Sequence, residues 1–185
     1  MQKMINRFAL AFTTAVIAAG VYLGGIQLTG NFHEVMPGQL YRSNQPSASQ
    51  IARYSSEYGI KTIINLRGVG ETDEWYQEEK TAADHLGLVH IDFPMSASKQ
   101  LTMAESNKLI EIMRDAPKPI LIHCRSGSDR TGLASVIYLN RIAGVDEDVA
   151  ENQLSIRFGH IGIPYLSRTY AMDETWEKLE TAFGI

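Results

Sequence analysis

Four short runs of β-branched and aliphatic residues, each followed by a helix-length segment with its own start and stop signals, confine this chain to an alternating α/β fold. The runs are residues 39–42, 60–66, 88–93 and 120–122. Ser47 caps a helix that reaches Tyr58 and stops at Gly59, and residues 72–85 form a polar helix closed by Gly87. Thr102, with Glu105 three residues on, opens a capping box for a helix that ends near Asp115. Further helices are expected over 130–143, 146–157 and 168–182. Strands alternating with helices make a central, mainly parallel sheet, here of about four to five strands, flanked by helices. Ile120, Leu121 and Ile122 form the most apolar run, which places them at the centre of that sheet. Ligands of such sheets bind beyond the carboxyl ends of the strands. The loops 67–70, 94–98 and 124–130 are therefore expected to share one rim.

A chain of 185 residues holds one such domain with a sizeable core. Its net charge of -4 and the lack of a dense Lys/Arg run exclude a nucleic-acid surface. The single cysteine, Cys124, excludes an internal disulfide and a cysteine-based metal cluster, and neither a metal nor a cofactor is called for. Residues 1–32 stand apart from the rest. Lys3 and Arg7 precede an uncharged stretch, 8–32, whose apolar residues occupy every helical face. That length can cross a bilayer, which takes about 20 residues. The basic residues before it and Glu34 after it predict a cytoplasmic N-terminus and an exported domain over 33–185, periplasmic in a bacterium. An uncleaved anchor is favoured; cleavage near Ala18, Ala19 and Gly20 is the alternative and would release the domain.

The chemistry lies in His123-Cys124-Arg125-Ser126-Gly127-Ser128-Asp129-Arg130-Thr131-Gly132. Residues 124–130 make a tight loop between a strand and a helix, with Gly127 at the point where a positive φ or close backbone approach is needed. The amides of Arg125, Ser126, Gly127, Ser128, Asp129, Arg130 and Thr131 can form an anion nest, reinforced by the helix N-terminus. Arg130 can grip two phosphate oxygens through a planar fork. In the same field the Cys124 thiol ionises well below its free pKa of about 8.5 and becomes the nucleophile. Attack on phosphorus gives a cysteinyl-phosphate, which water hydrolyses. The Thr131 hydroxyl is placed to hydrogen-bond the sulfur, and His123 to orient the loop.

This segment resembles the signature of the protein tyrosine and dual-specificity phosphatase superfamily, and its Gly-x-Asp-Arg-Thr-Gly form is similar to atypical bacterial and fungal members. The likeness extends to Leu40-Tyr41-Arg42-Ser43, to Thr62 through Arg67, and to Pro119 through Cys124, covering most of residues 39–160. It implies a phosphatase acting on phosphotyrosine, with phosphoserine or phosphothreonine as further substrates. An inositol or sugar phosphate, or a phosphate-binding module of low turnover, are the alternatives.

One departure matters. Relatives carry an Asp general acid on a mobile loop upstream of the cysteine. Here no Asp follows Pro94 in 92–99, and Ser98 stands in the expected place. Asp129 and Asp92 remain as candidates. Asp129 can equally fix loop amides, and the Asp92 carboxylate can face away from the site. Arg67 ends a strand on the rim and either meets substrate or pairs with Glu71 or Glu74. His160, Gln153 and Trp75 read as packing or surface residues, and the acidic run from Glu71 to Glu79 reads as a solvated helix face.

Overall fold

In the computed structural model, residues 2–185 are described; Met1 and the side chains of Gln2, Lys3 and Ile5 lie outside the described residues. The chain runs α1 (Gln2–Leu28), β1 (His33–Met36), β2 (Leu40–Ser43), α2 (Ala48–Tyr58), β3 (Thr62–Asn65), α3 (Glu74–Leu86), β4 (Val89–Asp92), α4 (Met103–Asp115), β5 (Ile120–His123), α5 (Asp129–Arg141), α6 (Glu147–Glu151) and α7 (Ala171–Phe183). Short 3₁₀ turns at Ile156–Phe158 and Arg168–Tyr170 lie between α6 and α7.

The sheet order is β1-β2-β5-β3-β4, so β5 is central, as its apolarity requires. All pairings are parallel except β1 with β2. Both faces of the sheet are covered, which is why the strands read as continuous apolar runs. Leu40, Ile64, Ile120 and Ile122 face the larger core with Leu133, Ile137, Met172 and Trp176 from α5 and α7. Tyr41, Leu121 and Ile63 face the opposite way, against residues of α2 and α3.

Register sets the site. Ser43 pairs with His123, His123 with Asn65, and Asn65 with Asp92, so four strands end in one file across the sheet. The loops that follow them share a rim by construction. The expected caps form as well. Ser47 with Gln50 and Thr102 with Glu105 make reciprocal capping boxes, each worth about 1 kcal/mol of helix stability.

Two elements differ from expectation. β1 was not predicted; its His33 and Glu34 break the apolar pattern, and antiparallel pairing with β2 and the Tyr41–Glu34 hydrogen bond (3.0 Å) hold it. The helix expected over 146–157 stops at Glu151. Beyond it the chain turns so that Gln153 can satisfy a buried arginine, Arg42, with both its backbone and side-chain oxygens.

Candidate active site

The loop between β5 and α5 wraps the Cys124 thiol, which is almost wholly buried. Gly127 N–H donates to Cys124 Sγ at 3.3 Å. Gly127 has φ 71, and a Cβ placed there would lie 2.6 Å from the Ser43 carbonyl. Only glycine can close this loop against β2. The N–H groups of Arg125, Ser126, Ser128, Asp129, Arg130 and Thr131 donate to no backbone carbonyl among the described residues. Such unspent amides at the start of a helix make an anion-binding hollow.

Arg130 is half-buried. Its NH1 donates to the carbonyls of Leu66 and Met95, each at 3.2 Å, while its buried Nε has no partner. The guanidinium therefore joins three rim loops and still holds a free donor. Thr131 is fully buried, but its Oγ1 makes no hydrogen bond, so the expected bond to the Cys124 sulfur is not formed. Gly127 N–H is the group that serves the sulfur.

The loop rests on buried charges that the sequence disguised. Arg42, fully buried on β2, donates from NH2 to the carbonyls of Gly127 (2.8 Å) and Ser128 (3.2 Å), and from NH1 to Gln153. It stacks 4.0 Å above the Phe158 ring. Burial lowers its pKa to about 9, against the opposing pull of Cys124 and Asp129, which leaves it charged at neutral pH. Breaking a buried charged contact of this kind costs about 3–5 kcal/mol.

Glu79 is also fully buried, not on a solvated face. Its Oε1 accepts from His123 Nε2 (3.1 Å) and His90 Nε2 (2.8 Å), and its Oε2 from Gln45. Burial acts to raise its pKa, but these donors prevail and hold it at about 2. His123 is thus oriented by a carboxylate beneath the sheet rim. Gln45 passes the network on to Arg67 NH1 at 2.7 Å. Arg67 stacks 3.4 Å above Trp75 and forms no ion pair with Glu71 or Glu74. Burial and then the charges of Arg130 and Arg125 lower its pKa.

Both candidate acids are engaged. Asp92 accepts from Asn65 Nδ2 at Oδ1 and from Tyr76 OH at Oδ2, each at 2.7 Å. Burial and the bond to Asp92 push the Tyr76 phenol up to about 12, so it remains the donor. Asp129 Oδ1 meets His160 Nδ1 at 2.8 Å, and His160 Nε2 meets Asp173 at 3.0 Å. His160, far from inert packing, bridges the phosphate loop to α7. Burial acts to lower its pKa, but the two carboxylates outweigh it and raise it to about 9.

That shift has a measurable sign. An imidazole whose pKa is about 9 in the fold and about 6.5 unfolded stabilises fully below pH 6.5. The contribution is then lost as pH rises toward 9. Thermal midpoints should therefore fall across this window for the native protein and stay flatter for His160→Gln. Parallel declines in both would show that His160 is not the titrating group.

The site of this α/β protein is thus a hollow of free amides at the carboxyl rim of a doubly covered sheet, with a thiol at its floor and a guanidinium at its edge, an arrangement that could receive an anion. Residues 22–153 match the sequence profile of the tyrosine phosphatase family. The chain belongs to that family. A protein of Cupriavidus necator, provisionally named a tyrosine-protein phosphatase, is 27% identical over 179 residues, covering 80% of this chain and 63% of its own length. The chain thus spans under two thirds of that relative. Among solved structures, TpbA of P. aeruginosa in complex with phosphotyrosine is 20% identical with a TM-score of 0.59, covering 84% of this chain and 91% of its own. The core catalytic domain of the PP-IP phosphatase Siw14 of S. cerevisiae is 23% identical with a TM-score of 0.59, covering 83% and 93%. At these identities the likeness is one of fold.

Proposed function

We propose that this protein is a phosphate monoester hydrolase that works through a cysteinyl-phosphate, with phosphotyrosine as the favoured substrate. The observation that carries this reading is the buried Cys124 sulfur, held by Gly127 N–H at the floor of a loop with unspent amides. The Cys124 thiolate attacks phosphorus in line; the S–P bond forms, the ester P–O bond breaks and the leaving oxygen takes a proton from solvent water. Water then attacks phosphorus, the S–P bond breaks and inorganic phosphate departs. The loop amides and Arg130 stabilise the charge on the equatorial oxygens. Retention of both Cys124 and Arg130 argues against a module that only binds phosphate.

A second reading is supported by the three arginines that the rim after β3 and β5 carries, Arg67, Arg125 and Arg130. Three cations suit a small substrate with several phosphates, such as an inositol phosphate. Turnover of a phosphotyrosine peptide beside inositol and sugar phosphates separates the two readings, and comparable or greater rates on the small esters would displace the first.

The engagement of Asp92 with Asn65 and Tyr76, and of Asp129 with His160, supports a site without a dedicated carboxylic acid. Its rate then depends on how well the leaving oxygen departs unaided. A tyrosine phenol leaves with a pKa near about 10, an alkyl alcohol far less readily, and general acid catalysis would have supplied about 10²–10⁴-fold. Phosphotyrosine should therefore exceed phosphoserine by at least about 10²-fold. Asp92→Asn and Asp129→Asn should leave the ratio of phosphotyrosine to nitrophenyl phosphate turnover unchanged. A selective loss on phosphotyrosine in the Asp129→Asn protein would identify Asp129 as the acid.

The apolar helix supports an anchored, exported domain. Asn6–Leu28 is apolar enough to cross a membrane, and its most apolar stretch is not buried, while its C-terminal turns touch the domain. In this reading residues 1–32 hold the domain of 33–185 at the outer face of the membrane.

A further inference from the structure

The surface beside the phosphate loop is unusually apolar. Ile156, Ile161 and Ile163 are exposed, Leu166 is 81% exposed, and Tyr165 is completely so. Tyr165 has φ 64, a conformation that bulky residues avoid. Its ring is thus turned into solvent at a local cost in strain, which persists where the surroundings impose it. Monomeric domains seldom leave such a cluster uncovered.

The occupant is indicated by three further features. First, the C-terminal end of α1 is bonded directly to this region. Tyr22 OH donates to the Arg157 carbonyl at 2.7 Å, Gln27 Nε2 to Ser126 O at 2.9 Å, and Asn31 Nδ2 to Ser126 O at 3.0 Å and Phe158 O at 2.9 Å. The side chain of Ile26 packs beside Gly159. No free linker separates the apolar helix from the domain, so the site cannot swing far from the point where α1 emerges. Tyr165 follows Gly159 by six residues, a reach of at most about 20 Å. Second, residues 152–172 carry no carboxylate, in a chain whose net charge is -4. Arg157 and Arg168 are exposed there and form no ion pair among the described residues. Apolar side chains flanked by unpaired basic ones match the interface of an anionic bilayer. Third, Tyr165, Leu166 and Arg168 share a cleft with Ser98, on the loop whose Met95 carbonyl accepts from Arg130, while Glu174 and Glu177 of α7 line its far side. The surface therefore adjoins the mouth of the phosphate loop.

We infer that the exposed side chains of segment 156–168 form a bilayer-contact surface that seats the phosphate-loop mouth on anionic lipid headgroups. This rests on the anchor reading of α1, and the test distinguishes the two. The full chain is reconstituted into vesicles of phosphatidylcholine and phosphatidylglycerol, with or without bromine on the acyl chains. Leu10→Trp reports insertion of α1, and Tyr165→Trp reports contact at the proposed surface. Each is compared with the parent protein, which supplies the background of Trp75 and Trp176. Both added tryptophans should lose at least half of their emission, Trp at 10 to deep bromines and Trp at 165 to bromines near the headgroups. Loss at 10 without loss at 165 overturns the bilayer surface while sparing the anchor; protection of 165 by a protein or by a second copy would appear in this way. No loss at 10 overturns both.

Discussion

Replacing Cys124 with serine is expected to lower turnover of any phosphate monoester by about 10⁴–10⁶-fold, the scale seen when a nucleophile is removed from a site whose other groups remain. The serine oxygen is smaller and fits the space of the sulfur without a clash. What disappears is the sulfur nucleophile, because a serine hydroxyl with no general base beside it attacks phosphorus far less readily than a cysteine sulfur. Binding should survive, since the unspent amides and Arg130 are untouched. Phosphate or a nonhydrolysable phosphonate should therefore bind the variant with affinity within several-fold of the parent. A Cys124→Ser protein that still turns over nitrophenyl phosphate at a sizeable fraction of the native rate would remove the central claim.

Arg130→Lys is expected to cost about 10²–10³-fold in kcat, as loss of a preorganised donor to transition-state charge does. The geometry explains why the positive charge alone is not enough. One terminal nitrogen of Arg130 is already committed to the carbonyls of Leu66 and Met95, which fixes the plane of the group. The buried Nε remains without a partner. A lysine has one nitrogen and cannot hold the two rim loops and grip phosphate together. The variant should fold, with its deficit in kcat exceeding that in KM. Unchanged kcat would mean that Arg130 only braces the loops.

Much of this protein was legible from local pattern. The four parallel strands, the central place of Ile120–Ile122, the capping boxes at Ser47 and Thr102 and the need for glycine at 127 all depend on neighbours close in sequence. Periodicity, caps and turn chemistry encode such features directly. The rim shared by the loops after β3, β4 and β5 followed from the strand–helix alternation.

The supports of the site were not legible. Glu79 sits among acidic neighbours on α3 and looks like any solvated carboxylate until His123 and His90 are packed against it. His160 acquires its role from Asp129 and Asp173, on two other elements. Arg42 looked like one residue of a short strand, yet it carries the carbonyls of Gly127 and Ser128. By itself the sequence determined the alternating fold and the chemistry offered by residues 123–132, because both are written in contiguous residues. Tertiary structure alone decided which charges are buried beneath that loop and how α1 meets it. A charge shows its function only when desolvation forces it to find a partner, and those partners come from distant parts of the chain.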